Sequence, residues 1–202
     1  MKTTPEIAEY LIAKDRKMKK IIGADIIVER PTDTDYFHSL VDTIVSQQVS
    51  SKVAQVFCDR LLKLCKGKVT LTRLKKRSDE EIRALGISAA KITYLRSLIE
   101  AIDKGVVHFR DIEQLSDEEV VSMLTKVKGI GPWSAEMFLI FSLEREDVYS
   151  TADLALANAV SFYYFKGQPV KKEELLKISK KWRPYRTYAS FYLWNSIHRG
   201  LS

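Results

Sequence analysis

The chain has 202 residues, 46% of them hydrophobic and 29% charged, with a formal net charge of +7. That composition excludes an intrinsically disordered chain and gives room for one compact unit or for two lobes sharing a cleft. The basic balance favours a polyanionic partner. Neither a leader nor a membrane span is expected: "MKTTPEIAEYLIAKDRKMKK" has no signal-type apolar run, and the longest apolar region, "WSAEMFLIFSL", is broken by Glu136 and too short for a bilayer.

Apolar residues recur at helical spacing along the chain, and no period-two run persists, so the expected fold is all-α with short connections. Phe37, Val41, Ile44 and Gln48 share one helical stripe; Val53, Val56, Phe57, Leu61 and Leu64 share the next. Cys58 and Cys65 fall in that second helix, where seven residues separate them by roughly 10 Å, too far for a disulfide. They are expected as buried or half-buried thiols. His38, His108 and His198 are scattered, so no metal-ligand spacing appears. Residues 60–110 hold thirteen Lys/Arg against five Asp/Glu, either a solvated basic surface or a nucleic-acid face. A capping box, Ser78 to Glu81, opens a short helix that Gly86 ends, and a longer helix from Ala89 to Lys104 stops at Gly105. A second box, Ser116 to Glu119, opens the helix leading into "LTKVKGIGPWSAEMF"; helices follow near 133–143, 154–165, 172–181 and 187–199.

The stretch "LTKVKGIGPWSAEMF" is the most informative in the chain. One helix ends near Lys126, Gly129 and Gly131 permit backbone angles that other residues resist, and Pro132 suits the first position of the next helix. Such a turn presents backbone N–H groups at a helix N-terminus, an anion site by construction, with Lys126 and Lys128 adding charge. The string from Val127 to Pro132 has the pattern of a helix-hairpin-helix, which grips DNA phosphate without reading sequence. Lys128, Gly129, Ile130 and Gly131 are therefore the candidate phosphate-binding residues.

"VKGIGPWSAEMFLIF" followed by "REDVYSTADLALANAV" strongly resembles the helix-hairpin-helix DNA glycosylases, and within them the alkylated-base branch of the 3-methyladenine DNA glycosylase II type. "IVSQQVSSKVA" and "WRPYRTYASFYLW" agree, so the resemblance covers roughly residues 35 to 200. It implies one glycosylase domain over residues 1–202, with two helical lobes around a cleft, roughly 35–130 and 1–34 plus 131–202. It also implies an enzyme that flips a damaged nucleotide out of double-stranded DNA and hydrolyses its N-glycosidic bond. The family's catalytic aspartate falls at Asp153, about twenty residues after the hairpin; the same residue precedes "LALANAV" and suits a helix N-cap. Asp147 is read as structural, as are Trp182, Tyr185 and Arg186. The resemblance makes Gln48, with its neighbour Gln47, the wedge that fills the gap left by the flipped base; the other reading of Gln48 is a polar helix end. Trp133 and Trp194 match aromatic positions lining the base pocket, and Met137 stands where relatives carry tyrosine.

Two other functions share these features. A glycosylase/lyase for oxidised bases needs a lysine nucleophile where this chain has Trp133, and often a four-cysteine cluster, whereas no cysteine follows Cys65. A non-catalytic hairpin module has no use for Asp153. The expectation is a monofunctional, cofactor-free monomer acting on alkylated purines (3-methyladenine and 7-methylguanine), away from membranes. It would reside in the cytoplasm of a prokaryote, on its nucleoid, or in the nucleus of a eukaryote.

Overall fold

A computed structural model describes residues 3–24, 26–27 and 33–200. Its α-helices in chain order are α1 (Thr4–Lys14), α2 (Lys17–Ile22), α3 (Tyr36–Ser46), α4 (Ser51–Leu64), α5 (Leu71–Lys75), α6 (Asp79–Arg83), α7 (Ala89–Asp103), α8 (Asp117–Leu124), α9 (Pro132–Phe141), α10 (Leu154–Phe165), α11 (Lys172–Ser179) and α12 (Arg186–His198). Among the described residues there is no strand, so the all-α expectation holds.

Local chemistry sets where these helices begin. Ser50, Thr70, Ser78, Ser88 and Ser116 each precede a helix and accept a hydrogen bond from the backbone N–H three residues on. Both expected capping boxes close, with Glu81 Oε2 2.7 Å from the Ser78 nitrogen and Glu119 Oε2 2.8 Å from that of Ser116. Pro132 opens α9 as its first residue.

The chain divides into two compact units, one of Asp33–Leu143 and the other combining Met1–Thr32 with Glu144–Ser202. Helix α9 thus stays with the residues before the glycine turn. Of the lobe expected over 1–34, residues 1, 2, 25 and 28–32 lie outside the described residues, as do 201 and 202 at the other end.

In the contiguous unit α3 packs against α4, α7 and α9. Phe37, Val41 and Ile44 face the core as their spacing predicts. Gln48 does not continue that stripe. Helix α3 ends at Ser46; Gln47 leaves it with ψ 135°, and Gln48 follows in a left-handed turn, φ 55°. The stripe expected on α4 also shifts: Val53 and Val56 are 40% and 39% exposed, and the buried face is Ala54, Leu61 and, just past the helix, Cys65. Both cysteines are free thiols, Cys65 buried and Cys58 half-buried.

In the discontinuous unit α12 packs on α2 and α10 around Met18, Ile21, Leu156, Val160, Trp182, Tyr192 and Leu193. Its first turn holds the loop that leads to Asp153. Thr187 is fully buried; its hydroxyl donates to the Arg145 carbonyl at 2.7 Å and accepts from the Val148 N–H at 3.0 Å. Arg186 grips Asp147 from the same turn, Nε to Oδ1 at 2.6 Å and Nη2 to Oδ2 at 3.1 Å, with a further bond from Nη2 to the Asp147 carbonyl. Asp147 is a structural anchor for this loop.

Thr187→Val keeps the shape but removes both bonds and takes the acceptor from the buried Val148 N–H. It is expected to cost about 1–3 kcal/mol and lower Tm by several degrees, read by thermal unfolding.

Candidate functional site

The glycine turn is docked against α7. Gly129 has φ +94°, a conformation few side chains tolerate, and a Cβ there would lie 2.2 Å from Tyr94 Cγ. One residue earlier, the Lys128 N–H donates to Ser97 Oγ at 3.0 Å. Ile130 plugs the turn: it is 3% exposed and its N–H closes on the Val127 carbonyl at 3.0 Å. Gly131 behaves differently from the expectation for both glycines. It is the extended N-cap of α9, φ −92° and ψ 176°, and a Cβ added there would meet nothing within 4 Å.

Among the described residues, the N–H groups of Gly129 and Gly131 meet no acceptor in the chain, whereas those of Lys128 and Ile130 are used inside it. Lys126 and Lys128 are exposed and form no ion pair among the described residues. The turn therefore offers fewer backbone donors than the sequence suggested, flanked by two lysines and opening onto the exposed surface at Gly131, Pro132 and Trp133.

Within the same unit a cleft of about 740 Å³ adjoins the turn. Gln47, Gln48, Gly129, Gly131, Trp133 and Met137 all line it. Trp133 is 41% exposed and Met137 is buried, one helical turn further along α9. The charged residues lining the cleft are Asp33 and Asp42. Burial raises the Asp42 carboxyl above its ordinary value, against the pull of His38, whose Nε2 lies 3.6 Å from Asp42 Oδ2. Burial likewise pushes the neighbouring Cys58 thiol up to about 11, which makes it an unreactive thiol.

The other unit carries the carboxylate. Asp153 is 7% exposed and is the N-cap of α10. Its Oδ1 accepts from the Leu156 N–H at 2.8 Å and from the indole Nε1–H of Trp194 at 3.3 Å. The cap reading is thus realised in the structure, and Trp194, from α12, directly touches the carboxylate. Phe191 packs edge-on against the Trp194 ring at 5.4 Å and fixes its plane. Tyr149, buried in the preceding loop, stacks edge-on against Trp182, and burial with the Asp153 charge raises its phenol well above the ordinary value.

Several of the cations in residues 60–110 have partners within the chain, although four of those partners are carboxylates of the same segment. Lys75 pairs with Asp103, Lys104 with Glu100, Arg77 with Glu81 and Arg96 with Asp79. Arg73 binds the carbonyls of Cys65, Lys66 and Lys68, and Arg60 that of Leu85. Sequence reasoning missed Lys91, Tyr94 and Ser97, the face of α7 that carries the turn. The available signal was Lys91 itself, a lysine in helical phase with Leu95 and Leu98.

Comparison with known proteins gives a consistent set of relatives. The family described as HhH-GPD superfamily base excision DNA repair protein matches residues 41–184. DNA-3-methyladenine glycosylase 1 of Schizosaccharomyces pombe is 36% identical over 163 residues, 79% of this chain and 72% of the relative. A solved DNA-3-methyladenine glycosidase from Bacillus halodurans superposes with a TM-score of 0.84 at 36% identity, over 94% of this chain and 88% of that one. The S. pombe 3-methyladenine DNA glycosylase in complex with abasic DNA gives a TM-score of 0.86 at 32% identity, over 96% and 97% of the two chains.

The two glycines should separate in a stability assay. Gly129→Ala meets both the Tyr94 ring and an unfavourable φ and is expected to lose about 3 kcal/mol or more. Gly131→Val meets neither and should stay within about 1 kcal/mol, the loss expected when an N-cap glycine is replaced by valine. Urea unfolding of the two variants checks this.

Proposed function

The chain belongs to the HhH-GPD superfamily of base excision DNA repair proteins, and on that premise we propose that it is a monofunctional DNA glycosylase that hydrolyses the N-glycosidic bond of alkylated purines. The names of its relatives, glycosylases of 3-methyladenine in DNA, support the substrate class. Residues 1–202 act as one domain and as a monomer, on double-stranded DNA containing a damaged base, with no cofactor. The nucleoid of a prokaryote or the nucleus of a eukaryote is where that substrate is found.

The observation that carries the reading is Asp153, a nearly buried carboxylate with Oδ1 fixed by two donors. As the bond from C1′ to the purine nitrogen breaks, its electron pair passes to the cationic base, which leaves neutral. Positive charge then develops at the sugar, where a preoriented carboxylate stabilises it. A water oxygen bonds to C1′ and passes its proton to solvent, completing the hydrolysis. Trp194 acts on Asp153 by holding Oδ1 in place.

The cleft supports a base that carries positive charge. Among the described residues its charged lining is Asp33 and Asp42, and Trp133 adds an aromatic face worth about 0.5–2 kcal/mol to a cation. With Trp133 in place of a lysine, the attack falls to water, and the leaving group must be good by itself. The hairpin, with Lys128 beside it, holds phosphate without reading sequence, and Gln48 fills the stack. Gly131→Val should accordingly weaken binding to every duplex alike, because the added side chain stands in front of the turn.

The test is release of free bases from methylated DNA and from duplex carrying 8-oxoguanine, identified by chromatography. 3-Methyladenine or 7-methylguanine should exceed 8-oxoguanine, and borohydride should trap no covalent adduct. Asp153→Asn keeps an N-cap acceptor, so the variant should fold and bind DNA while its single-turnover rate falls by about 10²–10⁴. Preferential release of 8-oxoguanine with efficient trapping would replace this reading with a lyase.

A further inference from the structure

The segment that ends α3 is held from two sides within its own unit. Lys91, 8% exposed on α7, places its Nζ 2.7 Å from the Val45 carbonyl, at the C-terminal end of α3. Burial lowers the lysine's pKa, and its ammonium also lies 5.6 Å from the centre of the Phe57 ring. Two residues beyond Val45, Gln47 leaves the helix and sends its side-chain amide, Nε2, to the Gly129 carbonyl at 2.8 Å. The next residue, Gln48, lines the cleft and is in the left-handed region.

The same helix, α7, also carries the glycine turn, through Tyr94 against Gly129 and Ser97 on the Lys128 N–H. Lys91, Tyr94 and Ser97 recur every three residues, so one face of α7 sets the position of both segments. The Gln47 to Gly129 bond joins them directly. It spans 82 residues of sequence and is partly buried.

From this geometry we infer that Gln47 is a positioning residue rather than a second wedge: its amide locks the Gln48 turn to the hairpin. Phosphate capture by the hairpin then fixes where along the duplex Gln48 enters. Gln47 need not touch DNA for this; it acts through the Gly129 carbonyl. The inference rests on the proposed DNA glycosylase reading, in which the hairpin holds phosphate and Gln48 fills the gap. A loose wedge would still insert, but from many starting positions, and a misplacement of about 1 Å is enough to cost about 10²-fold in a positioned step.

The experiment uses the full chain and a duplex with a tetrahydrofuran abasic analogue beside a 2-aminopurine, whose fluorescence rises on unstacking. Stopped-flow fluorescence gives the unstacking rate, and anisotropy with undamaged duplex gives ground-state affinity. Gln47→Met keeps the length and removes the donor; Gln47→Lys keeps the length and restores one. Gln47→Met should unstack about 10- to 100-fold more slowly with duplex affinity within about twofold, and Gln47→Lys should recover most of the rate. Equal rates for Gln47→Met and the wild type would overturn the tether, and so would a slow Gln47→Met that Gln47→Lys fails to rescue. If the wild type itself produced no fluorescence change, the glycosylase reading would fall instead.

Discussion

Gly129 has no side chain because Tyr94 fills the space where one would stand. That close approach sets the contiguous unit's functional face. It allows the turn after α8 to lie flat on α7, where Ser97 takes up the Lys128 N–H and Ile130 reaches the core. A helix normally defends its surface with long polar side chains; here α7 presents an aromatic ring and a small hydroxyl so that backbone can come within contact distance. The chemistry available to a ligand is thus what docking leaves over.

The discontinuous unit solves a different problem, how to hold a carboxylate in one orientation while nearly burying it. Asp153 does so by starting a helix. The α10 N-terminus supplies a backbone donor and the favourable end of the helix dipole, and the Trp194 indole supplies a second, neutral donor. Neither of these two partners is a cation, so they stabilise the negative charge without neutralising it. Asp147, six residues earlier, is handled in the opposite way: it is gripped by Arg186 and Arg183 and serves the loop's geometry. Two aspartates in one short segment have roles fixed by their neighbours.

Much of this was legible in the sequence. Helical periodicity, the two capping boxes and Pro132 place the helices from α6 onward to within about two residues, because caps and periodicity are local, but α1, α2 and α5 are not foreseen. The cap at Asp153 was legible for the same reason, from the apolar helix that follows it. The failures lie where the decisive contact is remote. Periodicity alone carried Gln48 on as a helix residue, although α3 has already turned out of the helix at Gln47 to reach Gly129. Gly131 was grouped with Gly129, but only Gly129 meets a ring from another helix. Val53 and Val56 keep the apolar phase of α4 yet are the exposed ones, while Ala54 and Leu61 are buried. The basic run in residues 60–110 looked like a single surface because carboxylates and carbonyls that absorb several of its cations come from other turns and helices.

The order in which the chain is made gives the split unit a particular timing. The contiguous unit, Asp33–Leu143, leaves the ribosome as an uninterrupted segment, so its turn and cleft can form while synthesis continues. The other unit waits for its final helix: Thr187 and Arg186, which fasten the loop before Asp153, and Trp194, which steadies the carboxylate, all belong to α12. A nascent chain arrested before that helix would hold the turn and the cleft but not the fastened loop before Asp153. The setting of Asp153 therefore follows that of the turn and the cleft.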